Sequence, residues 1–416
     1  MMSTTLPEAK GRASRRRWLA LAGCSLLLPT LPTRARAQAA PWRFEAGEPL
    51  LQIRPGGPGQ LLGVGVGGGL WSMPLDGRPP RRLATGLDPQ SLLSAAHGRI
   101  VARHADGGLW VWKGGQANHV PQVRLAAAAG LLNLPGAVIG VAADGRPDAR
   151  RLLRIEPAGK RGWAVVARSA GAVLPDARPL LADLDDRGDG GNVVVLAGPD
   201  DQRYDHAVLG DRVEATRLLW LDRHRLQPLR ELALPMPHVF EDIAPRPVVL
   251  AHGTGLLTVR SGPSAGAQLA LVTADPAHAA GLRIAALGET LGAHRWLAPT
   301  TDGRHWLAVH TPHIGGVLHA YTRNADRLES RVVGRDLSTH RLGTRELDLA
   351  VWLGARLVVP SQDGMQLRVL DVTAGYAESA RITLPARVAM TLALPGATGV
   401  AALLDDGSVV GWRVVG

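Results

Sequence analysis

LLGVGVGGGLWSMPLDG, residues 61–77, holds two short apolar runs joined by a glycine-rich turn and closed by Asp76-Gly77. Neither run reaches the ten or more residues a helix needs, and glycine at the turn supplies the backbone that a tight hairpin requires. The phrase returns as IVARHADGGLWVWKGG from Ile100, VIGVAADGRPDARRLLRIEP from Val138 and LLTVRSGPSAGAQLALVTAD from Leu256. It returns again as WLAVHTPHIGGVLHAYTRN from Trp306, LVVPSQDGMQLRVLDV from Leu357 and GVAALLDDGSVVGWRVV from Gly399. NVVVL from Asn192 and TRLLWLD ending at Asp222 are the two runs of a further copy, split by an insertion.

Eight copies, roughly 40–60 residues apart, imply one supersecondary unit per repeat, each burying its neighbour's face. Further β-runs flank the hairpins, such as PLLQIR before the first and PRRLATG after it, and four strands per repeat is the blade of a β-propeller. The chain ends on SVVGWRVVG, the third strand of an incomplete blade, while PWRFEAGE from Pro41 is a β-run with no blade of its own. Pairing the two closes the ring and removes an exposed sheet edge. The expectation is therefore all-β: a single β-propeller over residues 38–416, with eight four-stranded blades closed by its terminal strands. Seven blades is the alternative if one short blade is miscounted, and a pair of β-sandwiches is the nearest other fold. Trp71, Trp110, Trp112, Trp220 and Trp412 all fall in third strands, as packing between blades requires.

Ahead of this pattern, Ser14-Arg15-Arg16-Arg17-Trp18-Leu19 opens an apolar run to Leu31, followed by Ala35-Arg36-Ala37. A basic end, a short apolar core and an A-x-A site make residues 1–37 a cleavable export leader, with Ala35 and Ala37 marking the cleavage site. The opening resembles the twin-arginine export signal, with Arg15 and Arg16 as its paired arginines, which implies delivery of a folded protein to the bacterial periplasm. The run is shorter than the ~20 residues of a membrane span and contains Pro29. Leu21-Ala22-Gly23-Cys24 also spells a lipoprotein box, and a lipid anchor on Cys24 is the competing reading. Against it, the apolar run continues beyond Cys24.

Without the leader, which carries seven of the 47 Lys+Arg and one of the 36 Asp+Glu, the net charge falls from +11 to +5. No basic run is dense enough for a nucleic-acid footprint. Cys24 is the only cysteine, so the processed chain has no disulfide, thiolate metal site or cysteine nucleophile.

RPLLADLDDRGDGGNVVVLAGP, residues 178–199, resembles the FG-GAP/VCBS propeller repeat, in which an Asp-rich turn between two strands holds calcium. The resemblance implies Asp183, Asp185 and Asp189 as ligands for Ca2+, although Arg187 stands where an oxygen ligand is expected. The insertion GPDDQRYDHAVLGDRVEATR, residues 198–217, follows in the same repeat and concentrates Tyr204, His206, Asp211 and Glu214. Long loops in compact domains are commonly functional. This one joins second and third strands and should emerge on the face that carries the blade-to-blade connections. Arg103, His104, Arg260, His310 and His313 from other hairpins, and Glu241 and Asp242 at a blade entry, should gather on the same rim. Histidines with carboxylates there would suit a transition metal, and arginines an anionic ligand.

Other motifs fail on context. Gly262-Pro263-Ser264-Ala265-Gly266 lies in a hairpin turn rather than a strand-to-helix elbow, and GVGVGGG from Gly63 leads into a β-run rather than a helix. Without a catalytic constellation, the sequence reads as a periplasmic binding module for a protein, peptide or glycan partner. The alternative is a metal-assisted hydrolase or lactonase-like enzyme with its site on the insertion-bearing rim.

Overall fold

The computed structural model describes residues 42–413 apart from 144, 147–149, 160–161, 276, 278–280 and 348. The leader, with Arg15, Arg16, Cys24, Ala35 and Ala37, lies outside the described residues. Among those described there is no α-helix, and no helix is long and apolar enough to cross a membrane.

The paired apolar runs fold as four-stranded antiparallel meanders. Strands Leu50–Pro55, Gln60–Gly65, Leu70–Pro74 and Arg81–Ala84 pair in that order. So do Ser94–Ala96, Arg99–Arg103, Gly108–Lys113 and Gln116–Arg124, and likewise Leu132–Leu134, Ala137–Val141, Leu152–Pro157 and Trp163–Arg168. A larger sheet contains the meanders spanning 180–233, 246–287 and 297–335. In it Val239–Phe240 pairs with both Glu214–Leu221 and Thr254–Gly262, and one bridge links Leu287 to Arg327. Val351–Leu353, Arg356–Pro360, Gln366–Asp371 and Ala377–Thr383 form the next sheet. Val388–Ala393, Gly399–Leu404 and Val409–Arg413 form the last, whose fourth strand is Trp42–Phe44, with Trp42 opposite Gly411.

Second strands such as Ala137–Val141 and Gly399–Leu404 are buried throughout, whereas the fourth strands Gln116–Arg124 and Ala377–Thr383 are mostly exposed. A second strand is covered on both faces by neighbouring sheets, which explains why its apolar run is continuous rather than alternating. Val101 and Leu109 pack with Val138 and Ile155 of the next sheet, and Leu307 and Leu318 with Leu357 and Leu370. Phe44, Leu50 and Ile53 at the chain's start share a cluster with Met390, Leu403 and Val409 at its end.

Where one sheet hands the chain to the next, the backbone repeats one arrangement. Leu87 N–H donates to Gly68 O at 3.1 Å while Gly86 O accepts from Ala105 N–H at 2.9 Å. The same pair of bonds joins Leu125 to Gly107 with Arg124 to Ala143, and Leu337 to Gly316 with Asp336 to Gln362. It recurs as Val388 to Gly364 with Arg387 to Asp405, and as Leu50 to Gly407 with Pro49 to Val66. Each two-residue link is thus held between the turn of the sheet it leaves and the turn of the sheet it enters. The accepting residue is a glycine with positive φ, from +28° at Gly316 to +92° at Gly107. At Gly316 a Cβ would sit 1.8 Å from Leu337 O, at Gly68 2.3 Å from Leu87 O, and at Gly407 2.5 Å from Pro49 Cβ.

Gly407→Ala combines a left-handed backbone with this overlap and should cost about 2–3 kcal/mol of unfolding free energy in urea titrations. Gly77→Ala, at φ +87° with nothing within 4 Å of a Cβ, should cost only about 1 kcal/mol. Equal losses would contradict the packing reason for glycine at Gly407.

Candidate functional site

The links and the turns between second and third strands share one end of the sheets, because the link bonds tie them together. Segment 201–213 belongs to that end but is not a free insertion. Gly198 to Asp200 and Glu214 to Arg217 are strand residues, and Tyr204, Val208 and Leu209 between them are buried. Arg203 Nη1 donates to Leu234 O at 3.0 Å and His238 O at 3.3 Å, and Val208 O accepts from Gly343 N–H at 3.1 Å. The expected exposed loop is therefore a packed strap, anchored by its own apolar side chains.

Beneath the strap lies Glu241, fully buried, whose carboxyl group contacts His206 Nδ1 at 2.5 Å and accepts from Ser261 Oγ at 2.5 Å. Burial raises the Glu241 pKa, while His206 and Ser261 act in the opposite direction. The His206 ring meets Tyr204 edge-on at 5.6 Å and His294 at 5.7 Å, and Tyr204 stacks on His294 at 6.1 Å. Glu214 is also buried; lack of water, then the nearby carboxylates of Glu241, Asp211 and Asp176, pushes its pKa well above the ordinary carboxylate value. Arg345 bridges two more carboxylates, Asp176 at 2.7 Å and Asp211 at 2.5 Å. Asp242 has a supporting part: it accepts from Arg246 at 3.0 Å, Thr258 at 3.1 Å and Ile243 N–H at 2.9 Å.

Trp296 carries this layer across to the next links. Its indole N–H donates to Glu241 O at 3.1 Å, and its ring stacks on His313 at 6.3 Å and meets His340 edge-on at 4.8 Å. His340 Nε2 faces Thr344 O at 2.8 Å and so carries the hydrogen; Nδ1 then accepts from His313 Nε2 at 2.9 Å. Both rings are neutral, and burial pushes each pKa down to about 4. Next to this pair opens a cavity of about 330 Å³, lined in part by His313, His340, Arg341, Gln362 and Arg387.

The structure thus brings together Tyr204, His206, Asp211, Glu214, Glu241, Asp242 and His313, and gives the other expected residues local partners of their own. Arg103 pairs with Asp88 and donates to Leu125 O at 2.8 Å, bracing a link. His104 lies with Asp106 at 2.9 Å and stacks on His119. Arg260, on the opposite strand face from Ser261, donates to Gln268 Oε1 at 2.7 Å. His310 contacts Tyr321 OH at 2.5 Å and stacks on His319 at 3.6 Å. Arg103 and His104 thus lie on a link and a turn of the same end, while Arg260 and His310 make their contacts along their own strands. Asp176, His294, Trp296, His340 and Arg345 escaped the sequence reading although all lie in links, the same context that singled out Glu241 and Asp242.

The carboxylates of the Asp-rich turn are partly engaged within the turn itself. Asp183 accepts backbone N–H bonds from Arg187 at 3.1 Å and Gly188 at 2.8 Å, and Asp189 accepts from Gly191 at 2.9 Å. The Arg187 guanidinium takes one oxygen of Asp185 at 2.9 Å, while Asp185 Oδ1 is buried without a hydrogen-bond partner.

The neutral His340 makes a pH prediction with a definite sign. Its folded pKa of about 4 lies below the ordinary 6.5, so the unfolded chain binds the extra proton in that window, and stability falls as pH drops through it. His340→Gln should lose less unfolding free energy between pH 7 and 5 than the parent, by on the order of 1–2 kcal/mol. Contributions of Glu214 and Glu241, opposite in sign, cancel in this difference. Equal losses would contradict a buried neutral ring.

No protein-family model and no curated protein sequence matches the chain. Among solved structures it is similar to BamB from Moraxella catarrhalis, at 15% identity and TM-score 0.52, over 90% of this chain and 96% of that one. It is also similar to Sqt1 from Saccharomyces cerevisiae, at 12% identity and TM-score 0.59, over 90% of this chain and 98% of that one. At such identities the likeness is one of fold, and with the four-stranded antiparallel sheets it makes the chain an all-β protein of the β-propeller fold.

Proposed function

We propose that residues 38–416 form an exported, periplasmic propeller of eight blades, closed by pairing Trp42–Phe44 with Val409–Arg413, that binds a protein, peptide or glycan partner at its link-bearing end. Closure is supported by the cluster shared between Phe44, Leu50 and Val409, and by the Leu50–Gly407 bond, which repeats the arrangement of the other junctions. The observation that carries the binding reading is the exposed apolar rim of a polar cavity. Ile314 and Leu342 stand 65% and 67% exposed on the same segments as the cavity-lining His313 and Arg341. Apolar side chains held in water around a recess gain free energy when a partner covers them. A metal-assisted hydrolase is the second reading: His104, Asp106 and His119 bring three ligand atoms within 4.8 Å of one another, as do Glu289, His310 and His319. The exposed apolar rim favours the binding reading over it.

A photo-crosslinking residue placed at Leu342 should give a discrete adduct of higher mass in the periplasmic fraction. The same residue at Val249, 60% exposed at the far end of its sheet, should give none. Matching patterns at both positions would remove the link-bearing end as the binding face. Replacing Arg15 and Arg16 together by lysine should leave uncleaved precursor in the cytoplasm; normal export of that variant would remove the twin-arginine reading.

A further inference from the structure

We propose that the cavity beside His313 and His340 binds a peptide through a carboxylate group, with an aliphatic side chain of the same peptide resting on Leu342 and Ile314. The inference rests on the binding reading above and names the chemistry of its ligand.

Four observations carry it. First, the cavity's lining includes Arg341 and Arg387, but no Asp or Glu. Most arginines nearby are engaged: Arg345 holds Asp176 and Asp211, Arg246 holds Asp242, and Arg368 holds Glu378. Arg387 interacts electrostatically with Asp363, whose carboxylate already accepts from Ser361 and Met365 N–H, so the recess carries two guanidinium groups in its lining against one neighbouring carboxylate. Second, His313 and His340 are neutral at pH 7 and bonded to each other, so they add polar walls without charge. Third, Gln362 offers a side-chain amide, and Ser361, whose hydroxyl donates to Asp363 at 2.6 Å, is held in place beside it. Fourth, Pro312, Leu349 and Val388 complete the lining with apolar surface that continues to the exposed Leu342.

Arginine matches a carboxylate bidentately, and such charge-assisted bonds are roughly twice as strong as neutral ones. The apolar rim favours an aliphatic side chain next to the anion over the hydroxyl-covered ring of an acidic sugar, and a volume of about 330 Å³ is close to the lower end for ligand pockets. The carboxylate comes either from a peptide's C-terminus or from an internal acidic side chain, and both satisfy the same two arginines.

The test is fluorescence anisotropy with the processed chain and three labelled hexapeptides of otherwise identical composition. One ends in leucine with a free carboxylate, one ends in leucine amide, and one is an amide with aspartate beside an internal leucine. Binding of the first or third at least about tenfold tighter than the second supports the proposal, and the tighter of the two identifies the source of the carboxylate. Arg341→Gln and Arg387→Gln should each weaken that peptide by about fivefold or more, with melting temperature unchanged, and raised salt should weaken it in the parent. Equal binding of all three peptides, no binding of any, or indifference to both arginine replacements would overturn the proposal. Competition by free glucuronate equal to that by acetyl-leucine would also overturn it, in favour of a glycan. If the Leu342 crosslink forms while the peptides fail, only the ligand assignment falls; if the crosslink fails too, so does the binding face.

Discussion

A backbone N–H handed to the carbonyl of a left-handed glycine is the interaction on which the rest of this structure depends. It recurs where Leu50, Leu87, Leu125, Leu337 and Val388 enter their sheets, with glycines 407, 68, 107, 316 and 364 as acceptors. Hydrophobic burial between sheet faces supplies the larger free energy, yet it is non-directional and would tolerate sliding of one sheet over the next. The link bonds remove that freedom, because each link is fixed to two turns at once. They also decide where chemistry can gather: side chains carried on links and turns are delivered to one end.

At that end the strap and the links solve a desolvation problem. Ionised groups without water are costly, so each buried group there is either neutral or matched. Burial favours the protonated form of Glu214 and the neutral rings of His313 and His340, and Asp176 and Asp211 share Arg345. Glu241 draws on His206 and Ser261, which ties the strap to the body by a polar contact in addition to Tyr204, Val208 and Leu209. Beside this network Arg341 and Arg387 line a recess whose rim is aliphatic. The binding reading follows from that exposed rim, not from the buried network itself.

Much of the architecture was legible because its determinants are local. Apolar runs broken by DG and GG turns specify hairpins, and their recurrence specifies stacked sheets; the unpaired β-runs at the two ends of residues 42–413 pair as Trp42 opposite Gly411. The site was legible only in part. His206, Glu214 and Glu241 stood out as charged groups in an unusual insertion and at a sheet entry. His340 and Arg345 lie in an equivalent entry but in a segment of ordinary composition, so nothing local distinguished them. For Arg260 and His310 hairpin position alone does not reveal which face looks toward the links, because a one-residue difference along a strand reverses the face. The packed nature of the strap was written in Tyr204, Val208 and Leu209, whose apolar character was outweighed in the sequence by the acidic residues around them.

Native-state hydrogen exchange of single amides tests the central claim most directly. The account predicts that the Leu50 N–H, held by Gly407 from the other end of the chain, exchanges only through global unfolding, with protection equal to that of Leu87, Leu125, Leu337 and Val388. Fast exchange at Leu50 with slow exchange at the other four would mean that the first and last sheets separate independently. The common clasp would then not govern the whole molecule.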